Sequence, residues 1–384
     1  MNIDHAINIE DLHRLARRRL PRIVFDYIEG GLEDEHCLRR NEAAFQRYRL
    51  VPRYLVDVST RTQSATLFGR TYGSPFGIAP TGLVGLYRRG GDLMLAEAAA
   101  AANIPFVMSG GSNAALEAAA RIAPDHTWYQ LYGARDTKIS EDQIRRARDA
   151  GLGALVLTVD VPVRSKRERN IRNGWSLAVK LKPSTVLEAL THPAWVAEYL
   201  RHGGVPAFEN WAPYAGAGAG PAEIVSHYTS QFPAPAQTWR ELEIYRRLWP
   251  RTLIVKGILH PDDAVRAAQI GADGVIVSNH GGRQLDRAPA PIDVFPAIKA
   301  AVGDKLTLML DSGVRRGSDI VVALCLGARF VFVGRAAVYG VAAGGRPGAK
   351  KAIEILRDEI DLVMGQIGCP NVERFGPEFL LRDG

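Results

Sequence analysis

The chain has 384 residues, 47% of them hydrophobic and 23% charged, which suits one large α/β barrel or two ordinary globular domains. Its 48 basic and 41 acidic residues leave a net charge of +7. The one dense arginine run, Arg14 to Arg22, has no nucleic-acid motif beside it, so it reads as a solvated helix face, and no nucleic-acid partner is expected.

The first stretch, Met1 to Leu20, is charged throughout and has no secretory apolar core, and no apolar run reaches spanning length. Cys37, Cys325 and Cys369 lie far apart without a CxxC, which argues against a disulfide framework or a zinc site. Together these features predict a reducing, cytoplasmic setting and no bound metal. Residues 1–60 read as helical and basic, with an aromatic-acidic patch at Phe25-Asp26-Tyr27-Ile28-Glu29-Gly30-Gly31. A unit of short apolar strand, polar or glycine-rich loop and Ala/Leu-rich helix then repeats. The predicted strands are Phe76 to Ala79, Phe106 to Met108, Thr127 to Leu131, Ala154 to Val159, Thr252 to Val255, Gly274 to Val277, Leu306 to Leu310 and Phe330 to Val333. Helices such as Leu93 to Ala102 and Asp262 to Ile270 separate them, the latter with Pro261 at its start and Gly271 just past its end. Near-continuously apolar strands alternating with helices predict a parallel sheet covered on both faces, and eight strands close a TIM barrel. An open doubly wound sheet is the alternative.

The expected organisation is a single domain over 1–384, interrupted once. Residues 174–238 form a long excursion after the fourth strand, with Trp195, Tyr199, Phe208, Trp211 and Tyr214 and the small-residue run Ala215 to Gly220. It reads as a lid over the barrel mouth or, given Lys180, Lys182, Arg201 and His202 among the aromatics, as a segment lying on a membrane surface.

Polar residues or glycines follow every predicted strand, where α/β barrels place their active sites. In order these are Pro80-Thr81-Gly82, Ser109 to Ser112, Gln130 with Tyr132, Thr158 with Asp160 and the nearby Arg167, Lys256-Gly257, Ser278 to Asp286, Asp311-Ser312-Gly313, and Gly334-Arg335. The last two loops, with Arg315, offer backbone amides and two guanidinium forks for a phosphate. Lys256 suits an ion pair with a neighbouring carboxylate or a charge beside a cofactor ring. His280 is a candidate base with Asp160 as its orienting carboxylate, an arrangement expected to raise the imidazole's pKa. Arg167 and Arg283 suit a carboxylate clamp, and Tyr27 and Tyr132 are candidate hydrogen-bond donors to substrate.

Ser278-Asn279-His280-Gly281-Gly282-Arg283-Gln284-Leu285-Asp286 resembles the signature of the FMN-dependent (S)-2-hydroxy acid dehydrogenases and oxidases. Ala79 to Gly82, Gln130 to Tyr132, Leu157 to Asp160, Val255 to Gly257, Asp311 to Gly317 and Val333 to Arg335 follow the same family in order, over nearly the whole chain. Within the family the chain is most similar to the mandelate-oxidising bacterial members. The resemblance implies a TIM barrel holding FMN, with His280 taking the proton, Asp160 as its partner, Arg167, Arg283 and Tyr27 on the carboxylate and Tyr132 on the hydroxyl side. Lys256 would stabilise the reduced flavin. Pro80, Thr81, Gly82, Ser109, Gln130, Thr158 and Ser278 would line the ring and ribityl chain, and Asp311, Ser312, Gly313, Arg315, Gly334 and Arg335 the ribityl and phosphate. It further implies a quinone-like electron acceptor, peripheral membrane contact at the excursion and a homotetramer. An L-lactate dehydrogenase and a peroxide-forming oxidase are the alternatives within the family, and a non-catalytic phosphate-binding barrel the alternative outside it. The small residues Ser109 to Asn113 imply a pocket wide enough for an aromatic hydroxy acid.

Overall fold

Eight short strands close into a parallel barrel: β1 (Phe76–Ile78), β2 (Phe106–Ser109), β3 (Thr127–Leu131), β4 (Ala154–Thr158), β5 (Thr252–Ile258), β6 (Gly274–Val277), β7 (Thr307–Leu310) and β8 (Phe330–Val333). β8 pairs with β1, which closes the ring and leaves no sheet edge. This computed structural model describes residues 2–175, 183–204 and 206–382. The expected strands form within two or three residues at their ends. β2 to β4 and β6 are buried along their full length, which explains why they read as near-continuously apolar runs.

Register places the site residues side by side. Thr158 at the end of β4 pairs with Lys256 on β5, Lys256 with Ile276 on β6, and Val277 with Leu310 on β7. A register shift follows Lys256, at Gly257, whose φ of +105° is one that side chains rarely adopt. A Cβ at Gly257 would lie 2.6 Å from that of Asp160, so only glycine lets β5 pass beneath that carboxylate.

Helix α1 (Ile9–Arg19) packs along the C-terminal helix Arg335–Ile367, and α2 (Arg22–Glu29) brings Tyr27 to the barrel mouth. The excursion is more ordered than a lid loop. The helix α3 (Glu168–Arg172) leads into it, and it contains α4 (Pro183–Leu190), α5 (Pro193–Arg201) and α6 (Pro221–Gln231). Phe208, Trp211, Ile224 and Val225 form a small apolar cluster with Leu83, Ala134 and Ile139 on the barrel's loops. In contrast, Leu187 and Leu190 on α4 and Leu200 on α5 are 70%, 63% and 69% exposed. Lys180 and Lys182 lie outside the described residues. No described helix is long and apolar enough to cross a membrane.

Candidate active site

A cavity of about 710 Å³ opens at the carboxyl ends of the strands, within the size range of small-molecule and cofactor sites. Tyr27, Pro80, Thr81, Gly82, Ser109, Tyr132, Arg167, Lys256, His280, Arg283, Asp311, Ser312, Gly313, Arg315, Gly334 and Arg335 all line it. Gln130, Thr158, Asp160 and Ser278 stand behind the wall rather than on it.

His280 sits on a turn in which three successive residues, His280, Gly281 and Gly282, have φ of +60°, +66° and +74°. A left-handed histidine costs roughly 1 kcal/mol, and the surroundings hold it there. The backbone N–H of His280 donates to Ser278 Oγ at 3.0 Å, and that oxygen also accepts from Lys256 Nζ at 2.8 Å. The imidazole Nδ1 lies 2.9 Å from Asp160 Oδ1, and Nε2 lies 3.5 Å from the Tyr132 hydroxyl. With Asp160 ionised, Nδ1 carries the proton, which leaves Nε2 as an acceptor facing the cavity side. Burial would raise the Asp160 carboxyl, but the charge and hydrogen bond of His280, with Lys256 beyond it, hold it below its ordinary value. For His280 the expectation of a raised pKa is corrected. Burial lowers it by more than Asp160 raises it, with Lys256 and Arg167 adding to the lowering, so the imidazole is neutral at pH 7.

Arg167 and Arg283 place their guanidinium carbons 5.7 Å and 5.0 Å from the Tyr27 ring centre. Tyr27 also stacks on Trp175 at 4.6 Å. Among the described residues neither arginine has an ion pair with a carboxylate, and the buried Arg167 Nε has no partner at all. Burial, reinforced by the like charge of Arg167, pushes Arg283 down to about 9. Two cations against one ring, with no carboxylate paired to either among the described residues, suit an anionic ligand. Arg283 is fixed from behind, since its Nη1 donates to the carbonyls of Tyr27, Ile28 and Gly30 at the C-terminal end of α2.

Lys256 pairs with Asp311 at 3.0 Å, so the ion-pair reading of this lysine holds, with the pair buried at the barrel mouth. Burial would lower its pKa, but Asp311 and Asp160 raise it further, so it stays charged. Asp311 in turn accepts from Ser312 Oγ at 2.8 Å, and Ser312 Oγ accepts from the Gly281 N–H at 3.0 Å. At the far end the two guanidinium forks are less open than expected. Arg335 donates to the carbonyls of Ile28, Gly281 and Gly30, and Arg315 to Val314 O and Glu42. Buried guanidinium groups satisfy their donors on whatever acceptors are near.

Several cavity residues carry no strand-end signal in the sequence. Trp175, Phe208, Tyr228 and Arg164 come from the excursion or its approach, and Tyr87 from the segment after β1. A Cβ at Gly111 would meet Phe208 and Tyr228 at 3.8 Å each. The room left by the small residues after β2 is therefore bounded by aromatic rings from the excursion.

The buried polar groups suit a flavin nucleotide. Gln130 uses its Oε1 to accept from Ser109 Oγ and the Gly110 N–H, both at 3.2 Å, which leaves its Nε2 as a donor without a partner. Thr158 Oγ1 is likewise buried and unpartnered. An unused amide donor and an unpartnered hydroxyl at this depth suit a polar ring system beside them. The cations Arg315 and Arg335 and the strand-seven and strand-eight loops lie where barrels take phosphate.

The chain belongs to the FMN-dependent dehydrogenase family, whose pattern the sequence matches over residues 16–382. It is 41% identical to (S)-mandelate dehydrogenase of Pseudomonas putida over 99% of this chain and 95% of that protein. It is 39% identical to L-lactate dehydrogenase of Caulobacter sp. strain K31, covering 97% of each chain. Among solved structures, the monotopic membrane protein (S)-mandelate dehydrogenase superposes with a TM-score of 0.95 at 40% identity, over 99% of this chain and 100% of that one. The chain is thus an FMN-dependent oxidoreductase of the 2-hydroxy acid dehydrogenase type.

Proposed function

We propose that the chain, as a single FMN-binding domain, oxidises (S)-mandelate, or an (S)-2-hydroxy acid of similar bulk, to the 2-keto acid. The observation that carries this reading is the pair of guanidinium groups, Arg167 and Arg283, beside the His280–Asp160 pair with no carboxylate between them. Their forks would take the substrate carboxylate, and the Tyr27 hydroxyl would steady it. His280 Nε2 would then accept the proton of the C2 hydroxyl, and Asp160 would stabilise the imidazolium that forms. Tyr132, whose phenol is kept protonated by burial and by Asp160, would donate to the same oxygen. FMN, when bound, supplies the acceptor for the C2 hydrogen and its two electrons. Ser109, Gln130 and Thr158, with Pro80, Thr81, Gly82 and Ser278, would hold its ring. Asp311, Ser312, Gly313, Arg315, Gly334 and Arg335 would hold its ribityl and phosphate. The Lys256 charge offsets negative charge gained at that end of the cavity.

Steady-state comparison of (S)-mandelate with L-lactate tests the substrate. The reading requires the higher kcat/KM for mandelate, and the reverse order would replace it with an L-lactate dehydrogenase. An artificial quinone acceptor should support turnover much faster than oxygen does; rapid peroxide formation would make the protein an oxidase instead.

The lowered pKa of His280 sets the pH profile. kcat/KM should rise as pH climbs through that value and level off above it, with the midpoint of the rise below the ordinary histidine value of about 6.5. Asp160→Asn removes a charge that raises His280, so the rise moves to lower pH while kcat falls by roughly 10²–10⁴-fold. A rise displaced upward would contradict the assignment.

The exposed leucines of α4 and α5 would lie on the cytoplasmic face of a membrane, and the protein would assemble as a homotetramer. The triple replacement of Leu187, Leu190 and Leu200 by glutamate is expected to move the protein from the membrane fraction to the soluble one with turnover intact. Retention on membranes would leave this face without that role.

A further inference from the structure

The loop after β2 and the part of the excursion that carries Phe208 are stapled together by side-chain hydrogen bonds. Asn113 Nδ2 donates to the carbonyls of Pro206 at 3.1 Å and Ala207 at 2.9 Å, the two residues before Phe208. On the other side of Phe208, Asn210 accepts from the Leu116 N–H at 2.8 Å and donates to Ala114 O at 3.3 Å, and Trp211 Nε1 donates to Gly110 O at 2.9 Å. Asn113 is itself fixed. Its Oδ1 accepts from the Gly85 N–H at 3.0 Å, and its backbone N–H donates to the buried Asp92 carboxylate at 3.3 Å, which also takes Ser112 Oγ at 2.7 Å. Phe208 packs on Tyr228 at 4.4 Å between ring centres, and both rings face the cavity while Asn113 does not.

We propose that Asn113 is a positioning residue for substrate choice: by holding the 206–207 carbonyls it sets Phe208 as the wall that receives the C2 substituent, and so favours aromatic over small 2-hydroxy acids. A phenyl group needs that wall, whereas a methyl group ends short of it. The inference rests on the bulky-substrate reading above.

Asn113→Ala frees both carbonyls. It should lower kcat/KM for (S)-mandelate on the order of tenfold, through KM rather than kcat, the size of loss that follows a displaced apolar pocket wall. L-lactate should change less than twofold. Phe208→Ala should show the same selective loss, and the double variant should lose no more than Phe208→Ala alone. Asn113→Asp keeps an acceptor for Gly85 but sets a carboxylate against two carbonyl oxygens, so its selective loss should be at least as large. Should Asn113→Ala fail to retain FMN, Asn113→Ser, which keeps the acceptor, carries the same comparison. Equal losses for both acids, or losses that add to those of Phe208→Ala, would overturn the proposal. A wild-type preference for lactate would instead overturn the bulky-substrate reading, and would leave the coupling of Asn113 to Phe208 to be judged by those double-variant losses.

Discussion

Replacement of His280 by alanine is expected to lower kcat by roughly 10²–10⁴-fold, the range that general base catalysis supplies, while FMN stays bound. The proton of the substrate hydroxyl must leave in the oxidation, and His280 Nε2 is a neutral acceptor at the cavity beside a group able to stabilise its protonated form. Asp160 provides that stabilisation at 2.9 Å, with its second oxygen left without a partner and its position fixed by the close pass of Gly257. The nearby Tyr132 phenol is protonated and cannot substitute as a base. Flavin content and mandelate binding in the variant separate loss of the base from loss of the fold. Turnover within tenfold of the wild type would remove His280 from the proton step.

Arg283→Lys should be nearly as damaging, with kcat/KM reduced about a hundredfold or more. The loss has two sources. A lysine cannot present the two-pronged donor that matches a carboxylate, and its single ammonium cannot both hold the α2 carbonyls and reach the substrate. The carbonyls of Tyr27, Ile28 and Gly30 would then lose a shared donor, which should also lower the melting temperature. Arg167→Lys makes a useful contrast, because Arg167 contacts Tyr27 through its face and bonds no carbonyl of α2. It should raise KM for the acid with little change in thermal stability. If Arg283→Lys left KM and kcat unchanged, the carboxylate must lie elsewhere in the cavity.

Most of the barrel was legible in the sequence because its strands are largely buried on both faces, so each appears as a near-continuously apolar run with a polar residue or glycine at or near its end. The site residues on those ends, from Thr81 to Arg335, followed directly. Two kinds of information were not legible. One is the outcome of competing electrostatic effects: burial outweighs Asp160 at His280, and the forks of Arg315 and Arg335 turn to nearby acceptors, results that depend on depth and on neighbours far away in sequence. The other is the return of the excursion. Phe208 and Trp211 stood out as aromatics, but the place of Phe208 on the cavity wall and of Trp211 buried beside it depends on Asn113 and Asn210, and asparagines paired across about a hundred residues leave no periodic trace. Trp175 and Tyr228 carried no signal that separates a wall residue from ordinary packing.

In the proposed reaction this barrel holds FMN, which a bulky (S)-2-hydroxy acid reduces with His280 as the base. Anaerobic mixing of the purified yellow protein with (S)-mandelate measures that step alone, without any electron acceptor. Rapid loss of the flavin's visible absorbance is expected with (S)-mandelate, slower loss with L-lactate, and loss slowed roughly 10²–10⁴-fold with (S)-mandelate in His280→Ala. A colourless preparation, or a flavin that (S)-mandelate leaves oxidised, would contradict it.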